Sequence, residues 1–141
     1  MTNRIKISSW LARVSLAMYV ICLFLPAYRT TERQQHLGIE ALLAGPWGIF
    51  SGHFSWLANL FLLLSFTKRA GQTRQRPLLL STVALLLALT FLLKEDIPVG
   101  VQGYFSYSAG VGYYVWLSSI ALAVLAAYLS STPAEIPSNA S

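Results

Sequence analysis

Few residues in this 141-residue chain have the types and spacing to do chemistry. Glu32, His36 and Glu40 follow one another at four-residue intervals. On a helix they would share a face, and two carboxylates with an imidazole can hold Zn²⁺ or a similar ion. Arg29 and Arg33 stand among them and disfavour a cation, so a solvated, salt-bridged face is the simpler expectation and no metal is assigned. His53 and Asn59 are polar residues inside a long apolar run. His53 working with Glu40 or His36 on a lipid would need contact of about 3 Å or one bridging water. The chain has no HExxH, CxxC, phosphate loop or nucleophile elbow. No catalytic residue and no cofactor is therefore expected. Cys22, the single cysteine, excludes an intrachain disulfide and reads as a packing residue.

These residues must be held by elements that water does not solvate. Hydrophobic residues make up 55% of the chain and charged ones 11%, against about 25% charged in ordinary soluble domains. Four apolar stretches, 10–28, 47–66, 77–93 and 110–129, have the length of a membrane-crossing helix. The third holds nine leucines and no charge, and at about −0.5 kcal/mol each they favour insertion by roughly 4 kcal/mol. With the first helix running to Tyr28, Arg13 would sit only about 7 Å deep, within snorkelling reach of the headgroups. That first stretch resembles an uncleaved signal-anchor, since Leu25-Pro26-Ala27 is a poor cleavage site.

Arg4, Lys6 and Arg13 flank the first stretch, and Lys68, Arg69, Arg74 and Arg76 join the second to the third with no acid among them. Segments 29–46 and 94–109 carry balanced charge. The positive-inside rule then places both termini in the cytoplasm. The same rule accounts for the net charge of +5 without a nucleic-acid partner. The expected fold is an all-α, antiparallel four-transmembrane-helix bundle forming one domain, with a polar tail at 130–141. A short interfacial helix at 37–44 would end at the breaker Gly45-Pro46, and 97–109 would be an aromatic and glycine-rich outer loop.

Helices associate in lipid through small residues and modest polar contacts. On the second stretch Gly45, Gly48, Gly52, Ser55 and Asn59 form one such stripe, backed by Phe50, Phe54, Leu57, Phe61 and Leu64 facing lipid. Asn59 is expected to make an interhelical hydrogen bond. Comparable stripes run through Ser8, Ala12, Ser15, Tyr19, Cys22 and Pro26, through Ser81, Ala84 and Ala88, and through Gly112, Ser119, Ala123, Ala126 and Ser130. Sequences rich in Ala, Ser and Gly produce such matches by chance, and the uniformly bulky reverse face singles out the second. Any stripe left outside the bundle would serve a homo-oligomer. Tyr104, Phe105, Tyr107, Tyr113 and Tyr114 add an aromatic outer surface to Tyr28 and Trp47, suited to a lipid headgroup or another membrane protein.

These features point to a non-enzymatic protein of a bacterial plasma membrane that acts by binding, as an accessory subunit or immunity-type protein. Its expected partners are membrane lipid and another membrane protein or a further copy of itself. An oligomeric transporter or channel lined by Gly52, Ser55 and Asn59 is the second reading. A membrane-embedded lipid enzyme is the third.

Overall fold

The computed structural model describes residues 2–30, 35–50, 54–67, 75–93, 96–98 and 104–131. The chain is mostly helical, and three of its helical segments are long and apolar enough to cross a membrane: Asn3–Cys22, Arg76–Leu93 and Val111–Ser131. The first lies in α1 (Thr2–Cys22). Pro26 sets where α1 stops, because a residue preceding proline is pushed out of the α region. The chain turns through 23–25, and Pro26–Thr30 becomes strand β1. Thus the first helix begins eight residues earlier than the expected 10–28 and ends six earlier. Arg13 is nine residues from the end of α1, a rise of about 14 Å rather than 22 Å, so its shallow placement needs another basis.

The second expected span is not one helix. After β2 (Gln35–Leu37), helix α2 runs Gly38–Ile49, passing through Gly45-Pro46 rather than ending there. After the turn at Phe50, the next described residues form a 3₁₀ turn at Phe54–Trp56 and then α3 (Leu57–Phe66). Phe54–Phe66 is apolar but shorter than the three long segments. The stripe Gly45, Gly48, Ser55, Asn59 is therefore divided between two helices, and Gly52 and His53 lie outside the described residues. Glycine costs about 1 kcal/mol relative to alanine inside a helix. The glycines that make this stripe attractive for packing also weaken it as a continuous span.

Helix α4 (Arg76–Leu89), with Pro77 in its first turn, continues as a 3₁₀ turn through Thr90–Leu93. It is followed by β3 (Asp96–Pro98), β4 (Tyr104–Ala109) and α5 (Val111–Ser131). The strands form one antiparallel sheet in the order β2-β1-β4-β3, so the expected outer connections are not simple loops and the all-α description holds only for the helical body. The β1–β4 pairing, Tyr28 opposite Ala109 and Thr30 opposite Tyr107, ties the exit of α1 to the entry of α5. Alternation in Tyr104-Phe105-Ser106-Tyr107-Ser108 suits a strand. The pairing itself joins segments about eighty residues apart, which no local pattern announces.

Helix α5 is central, lying along α1 on one side and α4 on the other, and α4 carries α3. Ser8 Oγ donates to the Ala126 carbonyl at 2.8 Å, and Ser15 Oγ to the Ser119 carbonyl at 2.6 Å. Each step is seven residues on both helices, so the two run antiparallel in register along a seam of small residues. Ser8, Ser15, Tyr19 and Cys22 of α1, Ser81, Ala84 and Ala88 of α4, and Gly112, Ser119, Ala123 and Ala126 of α5 are all buried. Replacing Ser15 with Ala should cost only about 0.6 kcal/mol, the usual worth of an interhelical hydrogen bond in lipid. Ser15→Leu should cost more, about 1–3 kcal/mol, because a larger side chain would have to fit where Ser15 is fully buried between α1 and α5. Equilibrium unfolding in mixed micelles checks the order of the two.

Candidate binding surface

The last carbonyls of α1 are closed locally, the Leu23, Phe24 and Leu25 amides donating to those of Val20, Ile21 and Cys22. The turn and strand that follow carry carbonyls of their own, and each left unpaired is costly where water is scarce. Here Ile39 N–H donates to the Leu23 carbonyl and Gly38 N–H to the Leu25 carbonyl, both at 2.9 Å, and Gly110 N–H donates to the Ala27 carbonyl at 2.8 Å. Such contact leaves no room for a side chain. A Cβ on Gly38 would stand 2.3 Å from the Cys22 carbonyl oxygen, and one on Gly110 would stand 2.3 Å from that of Pro26. The starts of α2 and α5 are thus built onto the exit of α1.

Helix α2 is locked by a second device. Pro46 has no N–H to donate to the carbonyl four residues back, that of Leu42. The Trp56 indole N–H donates to this carbonyl at 2.7 Å. Gly45 makes room for the ring, since a Cβ there would fall 1.7 Å from Trp56 Cδ1. Proline therefore stays inside a helix because a side chain supplies its missing donor.

From Trp56 the polar contacts continue inward. Asn59 Nδ2 donates to the Trp56 carbonyl at 3.1 Å, and Trp116 Nε1 donates to Asn59 Oδ1 at 2.9 Å. The Trp116 ring lies 5.7 Å from that of Tyr113, which stacks on Phe91 at 4.9 Å. Tyr113 Oη donates to the Ala88 carbonyl at 3.0 Å. Asn59 thus bridges the 3₁₀ turn and α5, and the contacts run from α2 through α3 and α5 to α4. Tyr113 is 4% exposed, so of the aromatic residues expected at the surface it belongs to the interior instead. Sequence reasoning missed Trp56; the available signal was Pro46, whose helix needs a donor for Leu42.

What remains exposed on α2 is an apolar stripe at helical spacing, Ile39, Leu43 and Trp47, followed in the turn after the helix by Phe50, 86% accessible. Tyr114 is exposed as well. Tyr104, Phe105 and Tyr107 lie on β4, paired with β3 and β1, and their side chains fall outside the described residues. Gly48 belongs to α2.

Glu32 falls outside the described residues, while His36 and Glu40 come together. His36 Nδ1 is 3.2 Å from Glu40 Oε2, and the Leu37 N–H donates to the same oxygen at 3.3 Å. Glu40 stands in the first turn of α2 and reaches back to the amide preceding it, half of a capping box. The His36 ring stacks on Tyr28 at 4.8 Å. Burial, and then the Glu40 carboxylate, push the Tyr28 phenol above its ordinary range. Among the described residues no three His, Cys, Asp or Glu side chains gather as metal ligands. No protein-family model, characterised protein or solved structure matches the chain.

Trp56→Phe, which strands the Leu42 carbonyl, should destabilise the protein by about 1–3 kcal/mol. In a Pro46→Ala background the backbone donor returns, and the same change should cost less than half as much. A double-mutant cycle by equilibrium unfolding measures the difference.

Proposed function

We propose that this is a small multi-pass membrane protein that acts by binding another integral membrane protein through its sheet end, as an accessory subunit or immunity-type protein. Its membrane is a bacterial plasma membrane, which the chain crosses four times with both termini cytoplasmic. Arg4 and Lys6 at the start of α1 and Arg76 at the start of α4, the ends away from the sheet, support this orientation. In this reading Phe54–Phe66 is the fourth and shortest crossing, packed on α4, with α2 lying at the outer boundary of the bilayer.

The observation that carries the proposal is the exposed stripe Ile39, Leu43 and Trp47, with Phe50 just past its end, on a helix anchored from behind by Trp56. A rigidly held aromatic and aliphatic patch is the usual core of an interface. Recognition is through side chains rather than strand addition, since the edge strands β2 and β3 have three residues each. The small-residue faces of α1, α4 and α5 are occupied within the protein, which leaves the sheet end for a partner. A channel lined by Asn59 gains no support, because both ends of its amide are engaged inside the fold.

A photoreactive residue at Trp47 should crosslink to one distinct membrane protein in native membranes. Joint replacement of Tyr104, Phe105 and Tyr107 by Ala should abolish the adduct. Adducts with lipid or with a second copy alone would refute the proposal.

A further inference from the structure

The face of α1 turned away from α5 carries an arrangement that the packing does not use. The buried positions Ser8, Ser15, Tyr19 and Cys22 fall on the α5 side. At 100° per residue, Lys6 and Arg13 lie about 180° and 160° around the helix from Ser15, with Trp10 within about 60° of both. All three are exposed, Trp10 by 63%. One side of a membrane-length helix therefore presents two cations with an indole between them.

Their depth follows from the register with α5. The Ser8–Ala126 and Ser15–Ser119 hydrogen bonds set Arg13 level with the middle of α5, about 15 Å from either end. A bilayer core is about 30 Å thick, and an arginine at its centre is expensive. The Tyr113–Ala88 hydrogen bond brings the far end of α4 near the top of α5, which puts Arg76, the first residue of α4, about level with Trp10. If Arg76 marks the boundary, Arg13 is roughly one turn below it. Helical side chains lean toward the N-terminus, which for α1 is this same boundary, so the guanidinium can reach the headgroup level.

A guanidinium there needs an anion. Among the described residues the only carboxylates, Glu40 and Asp96, belong to the sheet end. We infer that Lys6, Trp10 and Arg13 form a site for the phosphate of an anionic phospholipid in the leaflet opposite the sheet. Arg13 makes a forked, charge-assisted contact with the phosphate, Lys6 adds charge nearer the water, and the Trp10 indole lies along the glycerol and upper acyl chain. The inference rests on α1 spanning the bilayer and is independent of any partner at the sheet end.

Trp10 is a built-in reporter. The full-length protein is reconstituted in phosphatidylcholine vesicles containing a minor fraction of brominated phosphatidylglycerol or, separately, brominated phosphatidylcholine. The Trp10 signal is the difference between the parent and Trp10→Phe. Quenching should favour phosphatidylglycerol by about thirtyfold in effective local concentration, as expected for two cations near a membrane surface. Lys6→Gln with Arg13→Gln should remove the preference, and Lys6→Arg with Arg13→Lys should keep most of it, which separates loss of charge from loss of fold. Equal quenching by both lipids, or a preference that survives the glutamine pair, overturns the site. Abolition of the preference by inorganic phosphate would mean a free-anion site instead. Quenching by neither lipid would mean that protein covers this face, and also overturns the inference.

Discussion

A backbone that leaves a helix where water is scarce must find partners for the carbonyls it abandons, and that constraint organises the sheet end of this protein. Helix α1 stops because Pro26 follows it, and three carbonyls beyond its last turn then accept from the amides of Ile39, Gly38 and Gly110. Those amides come from the start of α2 and from the entry to α5, so one need fixes the position of two further elements. The β1–β4 pairing extends the same junction into a sheet. The absence of side chains on Gly38 and Gly110 permits the approach, and any Cβ there would meet backbone rather than a movable group.

Pro46 repeats the logic on a smaller scale. It deprives the Leu42 carbonyl of its helical donor, and the Trp56 indole replaces it. The substitution links α2 to the 3₁₀ turn before α3, and through Asn59 and Trp116 to α5. Consequently the apolar stripe on α2 is carried by a braced helix rather than by a free surface segment. Bracing of this kind lowers the ordering cost of binding, which is the physical reason an exposed stripe here can serve recognition.

Two of the long helices, α4 and α5, were legible almost to the residue, because leucine-rich runs flanked by Arg76 or by Gly110 leave little choice. Most of the small stripes on α1, α4 and α5 also correspond to buried faces, but Ala12, Pro26 and Ser130 are only partly buried and Pro26 lies beyond α1. The stripe on the second apolar run, the most distinctive by pattern, is divided because α2 ends at Ile49 and its glycines favour close packing over helical continuity. Proline at Pro46 reads as a breaker when only local donors are counted, and Trp56 overrides it from ten residues away. The sheet was hidden for a related reason: β1 and β4 have short, mixed sequences, and their stability comes from each other. Among the candidate site residues, Asn59 accepts from the Trp116 indole of α5, a contact between helices, whereas Tyr113, aromatic and near a helix start, is buried with its hydroxyl on the Ala88 carbonyl.

The central claim is that the turn and strand leaving α1 are tied down by backbone contacts from distant parts of the chain, which makes the sheet end a folded platform. Amide hydrogen exchange resolved at Gly38, Ile39 and Gly110, in lipid micelles, tests this most directly. The account predicts exchange slowed at all three by on the order of a hundredfold or more relative to an unstructured chain. Exchange at those amides as fast as in an open loop would contradict it.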